Sequence, residues 1–198
     1  PQGFRPLCLG KTEHGYVLSS ESCAFDAIKA EFIRDIDPGE MVIINDRGVR
    51  STIYAEPQKI DKKLCVFEYI YFARSDSKID GQSVYETRLN MGRELYNETK
   101  YDADIVMSIP DSGTTAALGY ARASGIPFAE GLIKNRYSGR TFIKPNQEER
   151  ELAVRMKLNA MPEVVGGKRI VLIDDSIVRG TTSGLIVKML KEAGAKEI

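Results

Sequence analysis

The chain has 198 residues, 42% of them hydrophobic and 28% charged, which makes it globular rather than disordered and long enough for one or two domains. Its 28 Lys and Arg balance its 28 Asp and Glu, so no bulk charge draws it to nucleic acid or to an anionic membrane. No apolar run approaches the ~20 residues of a membrane span, and the opening PQGFRPLCLG lacks the apolar stretch of a signal peptide.

In chain order, residues 1–55 read as mainly β. ESCAFDAIKAEFI suits a short helix, with Ser22 as its N-cap. MVIINDRGVRSTIYA holds two apolar runs around Asn45-Asp46-Arg47-Gly48, a hairpin signal. Residues 56–66, polar and carrying Pro57, read as a linker. The aromatic run FEYIYFA (67–73) is β-prone. SVYETRLNMGRELYNE places Tyr85, Leu89, Gly92 and Tyr96 at helical spacing. DIVMSIP reads as a buried strand, DSGTTAALGYARASG as a loop and small-residue helix, and PFAEGLI as a further strand. A long polar stretch from Lys134 to about Met156 follows; a loop of that length in a compact domain is usually functional or mobile. KRIVLI is another strand, and GLIVKMLKEA a helix closed by Gly194. The alternation from residue 67 onward predicts an α/β protein with a parallel, doubly wound sheet. The chain begins at Pro1 rather than Met and stops at AGAKEI, where another strand is about to start, so it reads as a piece of a longer protein. Cys8, Cys23 and Cys65 are odd in number and widely spaced, which suits a reducing cytoplasm.

The segment RIVLIDDSIVRGTTSG carries the chemistry. In an open parallel sheet, ligands bind beyond the carboxyl ends of the strands. Asp174 and Asp175 sit where such a strand ends, and Gly180, Thr181, Thr182 and Ser183 lead into a helix. Unpaired amides and the positive helix end make an anion seat there. One turn thus offers a carboxylate pair beside a phosphate seat, and a sugar phosphate fits both. Capped-helix geometry with solvated aspartates is the plainer alternative. A second such turn follows the strand ending at Ile109: Ser112, then Gly113-Thr114-Thr115 opening a helix. Read alone, it is equally a plain helix cap.

IDDSIVRGTTSG resembles the phosphoribosyl-diphosphate (PRPP) signature of the type I phosphoribosyltransferases. That resemblance implies that Asp174 and Asp175 meet the ribose hydroxyls and Mg2+, and that residues 176–183, with Ser176, Arg179, Gly180, Thr181, Thr182 and Ser183 among them, wrap the 5′-phosphate. SIPDSGTTAALGYA, KNRYSGRTFIKPNQEER, VRMKLNA and GFRPLCLG…SSESCAFDAI narrow the match to the glutamine PRPP amidotransferase family, across essentially the whole chain. The family implies formation of 5-phosphoribosylamine, diphosphate and glutamate from PRPP and glutamine, the first step of de novo purine synthesis. It implies residues 1–55 as the C-terminal part of an N-terminal-nucleophile (Ntn) α+β glutaminase domain, and 67–198 as most of the phosphoribosyltransferase domain. It places Ser112 at the Mg2+ site and makes the polar stretch a loop over PRPP, with Lys134, Arg136, Arg140 and Lys157 on the substrate and Lys144, Arg150 and Arg155 in the same stretch. Cys65 matches a position that ligates a [4Fe–4S] cluster in one branch. A homotetramer with purine nucleotide inhibitors is also implied.

Departures from the family are visible. Pro1 cannot serve as the N-terminal cysteine nucleophile, so the segment is expected to lack glutaminase activity. Arg5 and residues 20–23 read as remnants of the glutaminase half. Ser75 stands where the family pattern FARPDS has proline. His14, the single histidine, lies in an exposed turn pattern and is assigned no chemistry. Tyr137 and Phe142 give thin aromatic interleaving for a nucleic-acid partner. Two rival classes are a PRPP-binding regulator without transferase activity and a salvage enzyme that joins PRPP to a nucleobase; a base-holding hood segment for the latter is not found.

Overall fold

A computed structural model describes residues 2–135, 155–177 and 180–198, and of Thr181 the backbone alone. The chain divides into two compact units, Pro1–Thr87 and Arg88–Ile198.

In the first unit, β1 (Cys8–Thr12) pairs antiparallel with β2 (Gly15–Ser19) and with β3 (Glu31–Asp35), giving the order β2-β1-β3. A bulge falls between Leu9 and Gly10, where a Cβ on Gly10 would stand 3.0 Å from both the Phe25 ring and the Glu31 carbonyl. Phe25, Leu9, Cys8 and Cys23 are buried in this unit. The helix α1 is confined to Cys23–Ala27, so the helical reading of ESCAFDAIKAEFI is too long: Lys29 takes φ 54°, and β3 follows. Ser22 caps nothing with its side chain. Its hydroxyl instead accepts the Lys78 N–H at 2.8 Å. The predicted hairpin is present as β4 (Glu40–Asn45) and β5 (Gly48–Ile53), with Asn45 opposite Gly48. Pro57–Lys59 forms a 3-10 turn.

The aromatic run predicted as a strand is instead a π-helical turn, Glu68–Phe72. The reason lies at Glu68, which is buried and accepts the Arg5 guanidinium at 2.5 Å, while Tyr69 donates its hydroxyl to the Ile79 carbonyl at 2.9 Å. A strand would throw residues 68 and 69 to opposite faces, so the anchoring of the buried Glu68 and the half-buried Tyr69 overrides aromatic β-propensity. A tight hairpin follows, β6 (Lys78–Ile79) and β7 (Gln82–Ser83), turned by Asp80 and Gly81, both at positive φ.

The helix α2 (Val84–Glu98) begins in the first unit, and its part in the second unit crosses α3 (Thr114–Ser124) with glycines at the contact. A Cβ on Gly92 would lie 1.8 Å from the Ala116 carbonyl, and one on Gly119 2.0 Å from that of Leu89. No side chain fits there, which explains glycine within two helices. Tyr96 meets Tyr120 edge-on at 5.4 Å. The predicted parallel pairing is found: β8 (Ile105–Ser108) lies beside β11 (Ile170–Ile173), Ile105 opposite Ile170, with parallel bridges Val106–Phe128 and Arg169–Glu197 extending the sheet on both sides. Strand alternation sends Ile105, Met107 and Ile170 to a core with Val165 of α4 (Pro162–Val165) and Ile186 and Leu190 of α5 (Thr181–Glu192). Val106 and Ile173 turn to the other face, against Ala117 and Tyr120 of α3. Helices on both faces of a parallel sheet are the doubly wound arrangement. β9 (Leu132–Lys134) and β10 (Leu158–Ala160) form a separate antiparallel pair. Gly125 closes α3 at φ 74°, and Gly194 follows α5 at φ 97°. Among the described residues, no helix is long and apolar enough to cross a membrane.

Candidate active site

The site sits where β8 and β11 end side by side. Ile109 donates its amide to the Ile173 carbonyl at 2.9 Å, so the two turns that follow these strands leave the sheet in register. After β11 come Asp174 and Asp175. The Asp175 amide donates to Asp174 Oδ1 at 2.9 Å. Both oxygens of the Asp175 carboxylate accept hydroxyls: Ser112 reaches Oδ2 from the turn after β8, and Ser176 reaches Oδ1 at 2.7 Å. Burial pushes the Asp174 carboxyl above its ordinary range and the adjacent Asp175 charge adds to the rise, against the lowering effect of the Asp175 N–H.

The turn after β8 is tightly built. A Cβ on Gly113 would stand 2.8 Å from the Ile173 carbonyl and 3.3 Å from the Asp174 Cα, so glycine is what lets this turn lie against the end of β11. Thr114 opens α3, its amide donating to the Asp111 carbonyl at 3.2 Å and its hydroxyl lying 3.1 Å from that of Ser108. The Pro110–Asp111 peptide is cis. Asp111, which the sequence reading passed over, holds Lys134: its Oδ2 accepts the ammonium at 2.6 Å.

On the other side, α5 starts at Gly180, in the left-handed region at φ 70°. The first-turn amides of a helix have no partner within it, so they and the helix dipole favour an anion at this end. A cavity of about 390 Å³ runs along β11, lined by Asp174, Ile177 and Ser183 at its carboxyl end and reaching Asp102 and Arg169 at the other. Thr182 is exposed at the same helix start.

Asp174, Asp175, Ser176 and Ser112 thus converge, and Ser183 shares a cavity with Asp174. Lys134 stands beside the Ser112 turn through Asp111. Lys157 is half-buried, and its carbonyl accepts the Asn135 amide at 2.7 Å, continuing the β9–β10 pairing. Arg155 is engaged with Glu192 of α5 at 2.7 Å. Arg136, Arg140, Lys144, Arg150 and Arg179, with Tyr137 and Phe142, lie outside the described residues. At the opposite ends of β8 and β11, Arg169 bonds Asp102 at 2.6 Å and Asp104 at 2.9 Å, and its side chain and N–H hold the Asp104 carboxyl at about 2.

For a divalent cation, the donor set is carboxylate and hydroxyl oxygen, which suits hard Mg2+ completed by ligand oxygens. Among the described residues, no group of three or more His, Cys, Asp or Glu assembles as a metal set. A [4Fe–4S] cluster takes four thiolates, so Cys65 would be one ligand of four and the others would come from outside the described residues. Cys8 and Cys23 are buried core thiols. Burial pushes Cys8 up to about 11.

No family model matches the chain. It is 57% identical over its whole length to the amidophosphoribosyltransferase of Archaeoglobus fulgidus, covering 43% of that protein, and 54% identical to that of Bacillus subtilis, covering 41%. Among solved structures, it matches the glutamine phosphoribosylpyrophosphate amidotransferase from B. subtilis complexed with ADP and GMP, with a TM-score of 0.91 and 54% identity, over all of this chain and 43% of that one. The structure of the allosteric regulatory enzyme of purine biosynthesis also matches at TM-score 0.91 and 54% identity, over 42% of its chain. The chain spans about two-fifths of the length of the relatives it matches.

Proposed function

Because the chain is homologous from end to end to a segment of the amidophosphoribosyltransferases, we propose that it supplies the PRPP site of such an enzyme. The reaction is formation of 5-phosphoribosylamine, diphosphate and glutamate from PRPP and glutamine. The observation that carries this reading is the contact between Ser112 and Asp175, which brings an anion-seating turn and a carboxylate pair to adjacent strand ends.

Asp174 and Asp175 accept the two ribose hydroxyls of PRPP. The start of α5, with Gly180 and the backbone of Thr181, Thr182 and Ser183, seats the 5′-phosphate. The turn at residues 112–115 seats the diphosphate. C1 of the ribose then lies between the two anion seats. The lone pair of ammonia forms the C–N bond at C1 as the C–O bond to diphosphate breaks, and the electron pair leaves with the diphosphate. The ammonium product then loses a proton to solvent. Charge separates in this step, so donors and cations fixed in advance around the departing diphosphate lower its barrier. Asp174, Asp175 and Ser112 would hold a Mg2+ ion, which would supply further neutralisation of that leaving charge. No side chain acts as nucleophile. Arg136, Arg140, Lys157 and Arg179 are assigned as substrate cations on family resemblance alone.

The further assignments rest on the same homology. Residues 67–198 belong to the phosphoribosyltransferase domain, residues 1–55 to the end of a glutaminase domain, and 56–66 link them. By family resemblance the enzyme is a cytoplasmic homotetramer inhibited by purine nucleotides; the relative complexed with ADP and GMP favours the nucleotide part of this reading. Cys65 contributes to a cluster only if other thiolates reach it, and the transfer does not use one.

The test is release of diphosphate from PRPP on adding an ammonium salt without glutamine, with folding verified by circular dichroism. Ammonia-dependent release supports the transferase. Tight PRPP binding without release supports the rival reading, a PRPP-binding regulator.

A further inference from the structure

Lys134 and Asp111 form an ion pair at 2.6 Å although both side chains are more than half exposed, 54% and 75%. A pair that open to water contributes little to stability. Both ends are nevertheless fixed by their backbones. Lys134 closes β9, paired opposite Leu158, and the next amide, that of Asn135, donates to the Lys157 carbonyl at 2.7 Å. Asp111 sits in a turn held at both sides. The Ile109 amide donates to Ile173, Thr114 donates to the Asp111 carbonyl, and Gly113 fits against the end of β11 with no room for a Cβ. The ammonium is thereby parked one residue from Ser112, beside the turn assigned to the diphosphate.

Resting on that assignment, we propose that Asp111 is an internal competitor for Lys134: its carboxylate holds the ammonium until a diphosphate takes it over. The carboxylate stands in for the anion in the unliganded site. It keeps the cation near the diphosphate seat while cancelling its charge, and it sets how strongly the seat attracts anions generally. On binding, a diphosphate oxygen replaces the Asp111 oxygen on Lys134, and the Asp111 carboxylate turns to water, to which it is already open. The seat therefore discriminates in favour of a polyanion whose charge outweighs one carboxylate. A monophosphate, with fewer oxygens and less charge, competes poorly for the same lysine.

The experiment is calorimetric titration of the chain with magnesium diphosphate, and separately with ribose 5-phosphate, for the wild type, Asp111→Asn, Lys134→Met and the double variant. Asp111→Asn tightens diphosphate binding about two- to fivefold at low salt, the scale of one exposed ion pair. Lys134→Met weakens it. In the Lys134→Met background the gain from Asp111→Asn shrinks, because no ammonium remains to be released. Plain repulsion between Asp111 and the ligand predicts an equal or larger gain in that background, and that result overturns the proposal. So does unchanged or weaker diphosphate binding by Asp111→Asn. Ribose 5-phosphate affinity stays level across all four proteins, since its phosphate goes to the start of α5; a parallel change there would mean a general structural effect and also overturns it. A wild type that binds neither diphosphate nor PRPP defeats the site assignment itself, whereas normal wild-type binding without the Asp111→Asn gain defeats the competition alone.

Discussion

Ser112 donates its hydroxyl to the carboxylate of Asp175, joining the turn after β8 to the turn after β11. Ser176 occupies the other oxygen of the same carboxylate, so Asp175 is held by a hydroxyl on each side. A hydrogen bond to a charged acceptor is worth about 1.5–3 kcal/mol. Ser112→Ala is expected to weaken magnesium-dependent PRPP binding several-fold, and Ser112→Thr to restore most of it, because the hydroxyl returns. Titration of the three proteins under one buffer condition checks this.

Gly113 answers for the spacing of the same two turns. Its φ of −74° suits any residue, so only space forbids a side chain: an added Cβ meets the Ile173 carbonyl at 2.8 Å. Gly113→Ala is expected to cost about 1–3 kcal/mol in urea unfolding, the usual penalty of overpacking. It should also weaken diphosphate binding, since the turn must move away from β11. Gly184, whose added Cβ would meet nothing within 4 Å, is the control: Gly184→Ala should leave stability equal or raised.

At the far ends of these strands, Arg169 holds the Asp104 carboxyl at about 2, below the ~3.9 of a free aspartate. The folded value is depressed, so this contribution is present above about pH 4 and lost as pH falls toward 2. Asp104→Asn is expected to flatten that acid limb of the urea midpoint. An unchanged limb would place the acid sensitivity elsewhere.

The three thiols should separate by reactivity. Cys8 is buried, donates to the Ser19 carbonyl at 3.1 Å, and has its thiol pushed up to about 11 by burial. Cys23 is buried and likewise raised. Cys65 is partly exposed. Thiolate is the reacting form, so a disulfide reagent at pH 8 should label Cys65 first, and Cys8 and Cys23 at the rate of unfolding. Mass spectrometry of the labelled peptides gives the order.

Much of the second unit could be read in the sequence because its signals are local. Apolar runs ending in Ser112 or Asp174-Asp175 marked β8 and β11, and glycines marked the helix boundaries that follow. The doubly wound reading came from that alternation. The first unit was less legible where distant residues decide. FEYIYFA has the composition of a strand, yet a buried Glu68 paired with Arg5, 63 residues earlier, fixes it as a helical turn. The split of ESCAFDAIKAEFI into α1 and β3 depends on β1, which β3 pairs with. Asp80-Gly81 is a hairpin signal of the same kind as Asn45-Asp46-Arg47-Gly48 and was overlooked, because the strands it joins are two residues each. In the site, Asp111 went unassigned because nothing nearby in sequence marks it as the partner of Lys134, 23 residues on.

The most direct measurement is titration of the chain with PRPP and Mg2+, before and after replacing Asp174 and Asp175 together by asparagine, with unfolding followed in parallel. Saturable binding by the wild type is expected, with an affinity loss of at least about tenfold in the double variant, the ~1.4 kcal/mol or more of two charged hydrogen-bond acceptors, and little change in stability. Equal affinity in a folded double variant would contradict the site assignment.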